Sequence, residues 1–296
     1  MLYAAVITRP DIAFTVSRLT RFNLSPGPDH HAAIDRVIEY LLVTATYALK
    51  LGGGDAFTTW SDASFADNTL DRKSSQGFAI QLFGGTIGWR ANKQDTVTTS
   101  TTEAELLVLA QATKEAMFAK RLLTELGVSL DDKALQIYCD NTQTIGLVTK
   151  EIATLQTKLR HVDIHNHWLR EAAQKNLITV RYAKSEEMVA DGLTKALGME
   201  PFRRFRGMIG VVDVKEYLEA RDTALPQIDD AVVEDLEDQI EGGYATVGTE
   251  EANTTEWPKL AILYGSLAST SRRGFTRLRG CVERDGHSWH GKWPIA

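Results

Sequence analysis

Hydrophobic and polar positions follow two different periods along this chain, and the switches between them mark its elements. In RPDIAFTVSRLTRF, Ile12, Val16, Leu19 and Phe22 recur at helical spacing behind a proline suited to a first turn. SPGPDHHAAIDRVIEYLLVT repeats the plan, with a Pro/Gly breaker and then an amphipathic run. FTTWSDAS, QGFAIQLFG and TIGWRA predict three strands, the last two joined by a turn at Gly84 and Gly85. STTEAELLVLAQATKEAMFAKRLLTELG predicts a long helix, opened by a capping box from Ser100 to Glu103 and stopped at Gly127. A strand at ALQIYCD, helices at NTQTIGLVTK and LRHVDIHNHWLREAAQKN, a strand at LITVRYA and a closing helix at EEMVADGLTKAL follow. Three antiparallel strands, then strands alternating with helices, predict an α/β fold with a mixed five-stranded sheet covered by helices.

This divides the chain into a helical segment over 1–50, an α/β domain over 55–210 and a tail over 211–296. The tail begins acidic with few large apolar groups (DDAVVEDLEDQIEGG), a composition that predicts disorder. It ends basic with interleaved aromatics (SRRGFTRLRGCVERDGHSWHGKW).

Charge changes the picture once it is divided. The net charge is −6, but residues 211–260 contribute −11 and residues 271–296 contribute +4, which leaves +1 for residues 1–210. Within 150–210, 11 Lys/Arg face 7 Asp/Glu, so a local phosphate-binding face beside an acidic site is permitted. With two cysteines, Cys139 and Cys281, a disulfide framework is excluded, and a reducing intracellular compartment is expected, cytoplasm and nucleus not being separated. No run approaches a membrane span, and MLYAAVITRPDIAF meets Arg and Pro too early for a signal peptide, so no membrane partner is expected.

The candidate chemistry lies in four acidic positions: Asp62 in TTWSDAS, Glu105 in STTEAELLVLAQA, Asp140 in LQIYCDNTQ and Asp191 in EEMVADGLTK. Asp62 and Asp140 each end a predicted strand, where a carboxylate is poorly solvated and a cation relieves it. Parallel neighbours would put both at the same sheet edge, where open α/β sheets place their sites. Glu103 and Glu105 compete for the helix position: two residues apart, they point to different sides. Asp191, in a first helical turn, is also favoured there by the helix dipole alone.

The residues around these carboxylates resemble a known family. SDASFAD with DRKSSQGFAI, TIGWRANKQDTVTTSTTEAELLVLAQATKE, YCDNTQTI, RHVDIHNHWLRE and VADGLTKAL are similar to the ribonuclease H domain of copia-type retrotransposon polyproteins. LYAAVITRPDIAFTVSRLTRF and HHAAIDRVIEYLLVT resemble the segment joining the reverse transcriptase to that domain, and the likeness runs from about Leu2 to Gly210. The chain starts inside that connecting region, which implies a piece of a longer polyprotein whose upstream reverse transcriptase would be its partner.

The resemblance implies a ribonuclease H-like sheet and endonucleolytic cleavage of the RNA strand of RNA–DNA hybrids. It assigns Asp62, Glu105, Asp140 and Asp191 as catalytic metal ligands for two Mg²⁺, replaceable by Mn²⁺, about 3.5–4 Å apart. Glu103 is left to capping. Hybrid contacts are expected from Arg72, Lys73 and Ser74, from Asn141 and Gln143, and from Arg160 and His161, because selection should depend on strand geometry. YAKSEEM lacks the histidine that related cellular enzymes carry before the last helix. His161 and His165 are four apart, but without a cysteine pair or a third ligand no zinc is expected. Alternative readings are a catalytically silent relic or hybrid-binding module, an interaction protein acting through the acidic tail, or a related nuclease preferring DNA duplexes or junctions.

Overall fold

The computed structural model describes residues 1–150 and 160–224, and its first elements are the helices α1 (Leu2–Ile7), α2 (Ala13–Thr20) and α3 (Pro28–Val43). A 3-10 turn at Pro10–Ile12 feeds α2, with the proline at its first position. A short strand β1 (Tyr47–Leu49) then leads to β2 (Phe57–Ser64), β3 (Ser75–Leu82) and β4 (Gly85–Lys93). The remaining elements are α4 (Thr101–Glu125), β5 (Leu135–Cys139), α5 (Thr142–Thr149), α6 (Arg160–Gln174), β6 (Ile178–Tyr182), α7 (Met199–Met208), β7 (Val211–Asp213) and α8 (Lys215–Ala224).

The sheet has the order β4-β3-β2-β5-β6. β2, β3 and β4 pair antiparallel, whereas β5 runs parallel to both β2 and β6. This is the expected α/β fold with a mixed five-stranded sheet. Period-two alternation feeds both faces. Phe57, Phe78, Ile80, Leu135, Ile137 and Val180 pack with Leu106 and Leu109 of α4, Val148 of α5 and Leu169 of α6. Ala79, Trp60, Trp89 and Ala91 instead meet Val189, Leu193, Phe205, Ile209 and Ala13.

Three local expectations are corrected. The β3–β4 turn lies at Phe83–Gly84, with φ of 52° and 82°, while Gly85 already pairs with Leu82. Successive positive φ values are what a two-residue hairpin turn needs to match strand twist. Backbone bonds from Gly54 N–H to Phe83 O and from Phe83 N–H to Ala56 O hold the phenylalanine there. VADGL forms a 3-10 turn, Val189–Leu193, rather than opening an α-helix. This segment is pressed between sheet and helix: a Cβ on Gly77 would lie 2.6 Å from Leu193 Cβ, and one on Gly192 would overlap the Phe205 ring. Finally, structure continues past 210. β7 pairs antiparallel with β1, Val211 is buried in the second core, and α8 follows.

The expected boundary after residue 50 is crossed as well as the one after 210. Met1–Leu225 forms one unit. Trp89 Nε1 donates to Ala5 O at 2.7 Å, and Arg18 pairs with Asp67 at 2.9 Å, so the helical segment is tied to the sheet. The remainder of the predicted tail, including the basic stretch and Cys281, lies outside the described residues. Among the described residues no helix is long and apolar enough to cross a membrane.

Candidate metal centre

β2 and β5 carry Asp62 and Asp140 to one place because they run parallel in a register that pairs Trp60 with Tyr138. Two residues further along each chain come the carboxylates. The Trp60 and Tyr138 rings stack behind them at 4.3 Å, with Trp60 Nε1 donating to Gln81 Oε1, so the strand ends have little freedom.

Glu105 is supplied by the first turns of α4. Ser100 caps this helix, its hydroxyl accepting from Glu103 N–H at 3.2 Å. Glu103 Oε2 accepts from the N–H and hydroxyl of Thr99, one residue before the cap, so the return bond of the box is displaced by one position. That occupies Glu103 away from the cluster. Glu105 Oε1 instead accepts from Ala63 N–H on β2 at 3.2 Å, and Cys139 Sγ lies 3.9 Å from its other oxygen.

Asp191 arrives on the 3-10 turn, and that turn also brings two residues whose part the sequence reading missed. Thr194 donates its hydroxyl to Asp62 Oδ2. Lys195 Nζ lies 2.8 Å from Asp191 Oδ1 and 3.4 Å from Asp62 Oδ1. The signal for the lysine was present in DGLTK, an acid and a base at i, i+4, a spacing that places side chains together on a turn. The conformation that turns both onto Asp62 is tertiary.

The four carboxylates converge in two overlapping sets. Ligand atoms of Asp62, Asp140 and Asp191 lie within 4.8 Å of one another, as do those of Glu105, Cys139 and Asp140. Asp140 belongs to both. Burial is the main cause of raised carboxyl pKa values here. Asp62, 1% exposed, is pushed up to about 6 by burial, with Lys195 opposing and Asp191 adding repulsion. Burial also raises Glu105 well above the ordinary range, with repulsion from Asp62 and Asp140, and raises Asp140 despite Lys195. The Cys139 thiol is held protonated by burial and by Glu105. Hard oxygen donors carrying more negative charge than one ammonium can neutralise are the donor set of a divalent cation such as Mg²⁺.

The residues expected to touch nucleic acid are scattered around this centre. Arg72 is exposed on the β2–β3 loop in a left-handed conformation (φ 56°), and Lys73 is half-buried. Ser74 is corrected: it is fully buried, its hydroxyl accepting from Ala66 N–H and lying 3.3 Å from Thr98 Oγ1, so it braces the loop and has no surface to offer. Asn141 caps α5 by accepting from Thr144 N–H, and the exposed Gln143 accepts from Thr102 across to α4. Arg160 is exposed at the start of α6, where His161 Nε2 lies 3.3 Å from Thr96 Oγ1. His165 is half-buried, with a pKa lowered by burial and by Lys114, while His167 lies 3.8 Å from Asp163.

No protein-family model matches the chain. It is 35% identical over 212 residues to the retrovirus-related Pol polyprotein from transposon TNT 1-94 of Nicotiana tabacum, covering 71% of this chain and 16% of that protein. It is 40% identical over 120 residues to the secreted RxLR effector protein 161 of Plasmopara viticola, covering 40% of this chain and 84% of that protein. Among solved structures, the N-terminal ribonuclease H domain of a Mycobacterium tuberculosis protein is similar with 10% identity and a TM-score of 0.35, covering 51% of this chain and 94% of that domain. The chain thus spans about a sixth of the length of the plant polyprotein it matches. Over that span, the chain's homologues are copia-type Pol polyproteins of plant transposons.

Proposed function

We propose that this chain is a ribonuclease H-type endonuclease that hydrolyses the RNA strand of RNA–DNA hybrids, in the setting of a retrotransposon polyprotein with an upstream reverse transcriptase. The observation that carries the reading is the convergence of Asp62, Glu105, Asp140 and Asp191 from four separate elements onto one sheet edge. A structural role does not call for it, since like charges gathered out of water raise one another's cost.

Asp62, Asp140 and Asp191 would hold one divalent ion and Glu105 with Asp140 a second, Cys139 standing behind them as a protonated thiol. Bound there, Mg²⁺ supplies a lowered pKa for an attacking water and charge neutralisation at the scissile phosphate. The chain's own residues provide placement. Ala63 N–H fixes the Glu105 carboxylate, Thr194 fixes Asp62, and the Trp60–Tyr138 stack stiffens the strand ends. Arg72, Lys73 and Arg160 would contact phosphates, and Asn141, Gln143 and His161 would line the approach between α4, α5 and α6. Ser74 would act indirectly by holding the loop that presents Arg72 and Lys73.

The test is cleavage of an end-labelled RNA–DNA hybrid by the full chain with Mg²⁺, beside the Asp140→Asn variant. Cutting confined to the RNA strand, and lost with EDTA and with the substitution, is the expected outcome. A folded protein that leaves the hybrid intact would overturn the enzymatic reading, and retained hybrid binding in that case would identify a catalytically silent binding module.

A further inference from the structure

We infer that Lys195 is a built-in counter-ion of the carboxylate cluster, holding the metal-free site together and competing with the divalent cation for Asp62 and Asp191. This inference rests on the metal-site reading above. Its ammonium makes two contacts, at 2.8 Å to Asp191 Oδ1 and 3.4 Å to Asp62 Oδ1, on the two carboxylates that share a ligand set with Asp140. A divalent ion held by Asp62 and Asp191 would compete with the ammonium for the same carboxylates.

The contact is built rather than incidental. Lys195 N–H donates to Asp191 O at 3.0 Å, as does Thr194 N–H at 3.1 Å, so the turn that presents Asp191 also sets the start of the lysine side chain. Leu193, between this turn and the sheet, is fully buried, and Thr194 is anchored on Asp62. The two acceptor carboxylates are 1% and 17% exposed, while the lysine side chain is 38% exposed. Its long stem can therefore leave toward solvent when a divalent ion arrives, whereas the carboxylates cannot follow. Lys195 in this reading is a positioning residue and not a catalytic one.

The experiment measures Mn²⁺ binding to the full chain by calorimetry, together with the melting temperature in EDTA, for the wild type, Lys195→Met, Lys195→Gln and Lys195→Arg. Competition predicts that both neutral variants bind Mn²⁺ at least about five-fold more tightly, the lower end of typical coupling between two ligands of one site. Both should melt at lower temperature than the wild type in EDTA and gain more on adding Mn²⁺. Lys195→Arg, which keeps the charge, should bind no more tightly than the wild type. Two neutral side chains of different shape guard against one failing to fold. Equal or weaker Mn²⁺ binding by folded neutral variants would overturn the counter-ion role and leave the metal site standing. Absence of binding by every variant would overturn the metal reading, and this inference with it.

Discussion

Two clusters of buried charge in this protein are built on opposite principles. Where the N-terminal helices meet, Arg9 grips Asp11 through two hydrogen bonds of 3.0 and 2.8 Å, reaches Thr44 through two more, and Tyr40 donates to Asp11 at 2.6 Å. Burial opposes the Arg9 charge, but Asp11 and then Tyr40 more than offset it, so the Arg9 pKa is raised. At the sheet edge, among the described residues, four carboxylates share one ammonium. The first cluster is balanced at its centre, one guanidinium against one carboxylate, with both Asp11 oxygens accepting and Arg9 bonded through Nε, Nη1 and Nη2. The second is left with excess negative charge. A closed pair is architecture; an unbalanced one is a request for something from outside.

The comparison is tested most severely by removing one charge from each side. Asp140→Asn should lower hybrid cleavage by at least about 10²-fold, the scale of losing one preorganised electrostatic contact. The same variant should raise the melting temperature in EDTA, since it relieves repulsion. A drop there would make the sheet-edge cluster architectural after all. Arg9→Met should do the opposite and cost roughly 3–5 kcal/mol by leaving Asp11 buried and unpaired. Pairing it with Asp11→Leu should recover most of that loss in a denaturant titration.

A smaller effect tests the support beneath Asp191. Gly192→Ala should cost about 1–3 kcal/mol, because its methyl meets the buried Phe205 ring. Cleavage should fall further than stability alone explains, since Asp191 is the preceding residue. The pH response comes next. Asp62 is raised to about 6, so the folded protein holds that proton more firmly than an unfolded chain, whose carboxyl titrates near ~3.9. In EDTA, the contribution of Asp62 to stability, read as the difference from Asp62→Asn, should therefore be fullest below about pH 4 and decline as pH rises toward 6, a slope that Mg²⁺ should flatten. An Asp62 contribution that grows over that window in the metal-free protein would contradict the unbalanced cluster. Ser100→Ala is the mildest, about 1 kcal/mol for a lost helix cap, with little change in cleavage if Glu105 keeps its bond to Ala63.

Legibility tracked the range of the interactions. Strand β2 falls on FTTWSDAS, and α4 starts one residue after the serine that sequence identifies as its cap. Those signals are local. That Glu103 is held at the start of α4 while Glu105 turns to β2 was also readable in part, because residues two apart on a helix face different sides and the capping position claims Glu103. The closing helix was misread because VADGL looks helical by composition, while Gly77 and Phe205 crowd it into a tighter turn. Ser74 looked like a surface polar residue beside Arg72 and Lys73, and only the packing of the loop against Thr98 reveals it as a brace. The division at residue 210 failed for a related reason, since the partner of Val211–Asp213 lies more than 160 residues earlier, at Tyr47–Leu49.

By itself, then, the sequence determined the kinds and order of most elements and the mixed sheet, because periodicity, caps and turn residues act between near neighbours, while the four carboxylates were singled out with the help of the resemblance. Tertiary structure alone decided that Asp62 and Asp140 stand in register, that Lys195 and Thr194 complete the cluster, and that the N-terminal helices and β7 belong to the same unit as the sheet. These depend on which distant surfaces exclude water together and on how charges gathered there offset one another, and neither is set until the chain has closed.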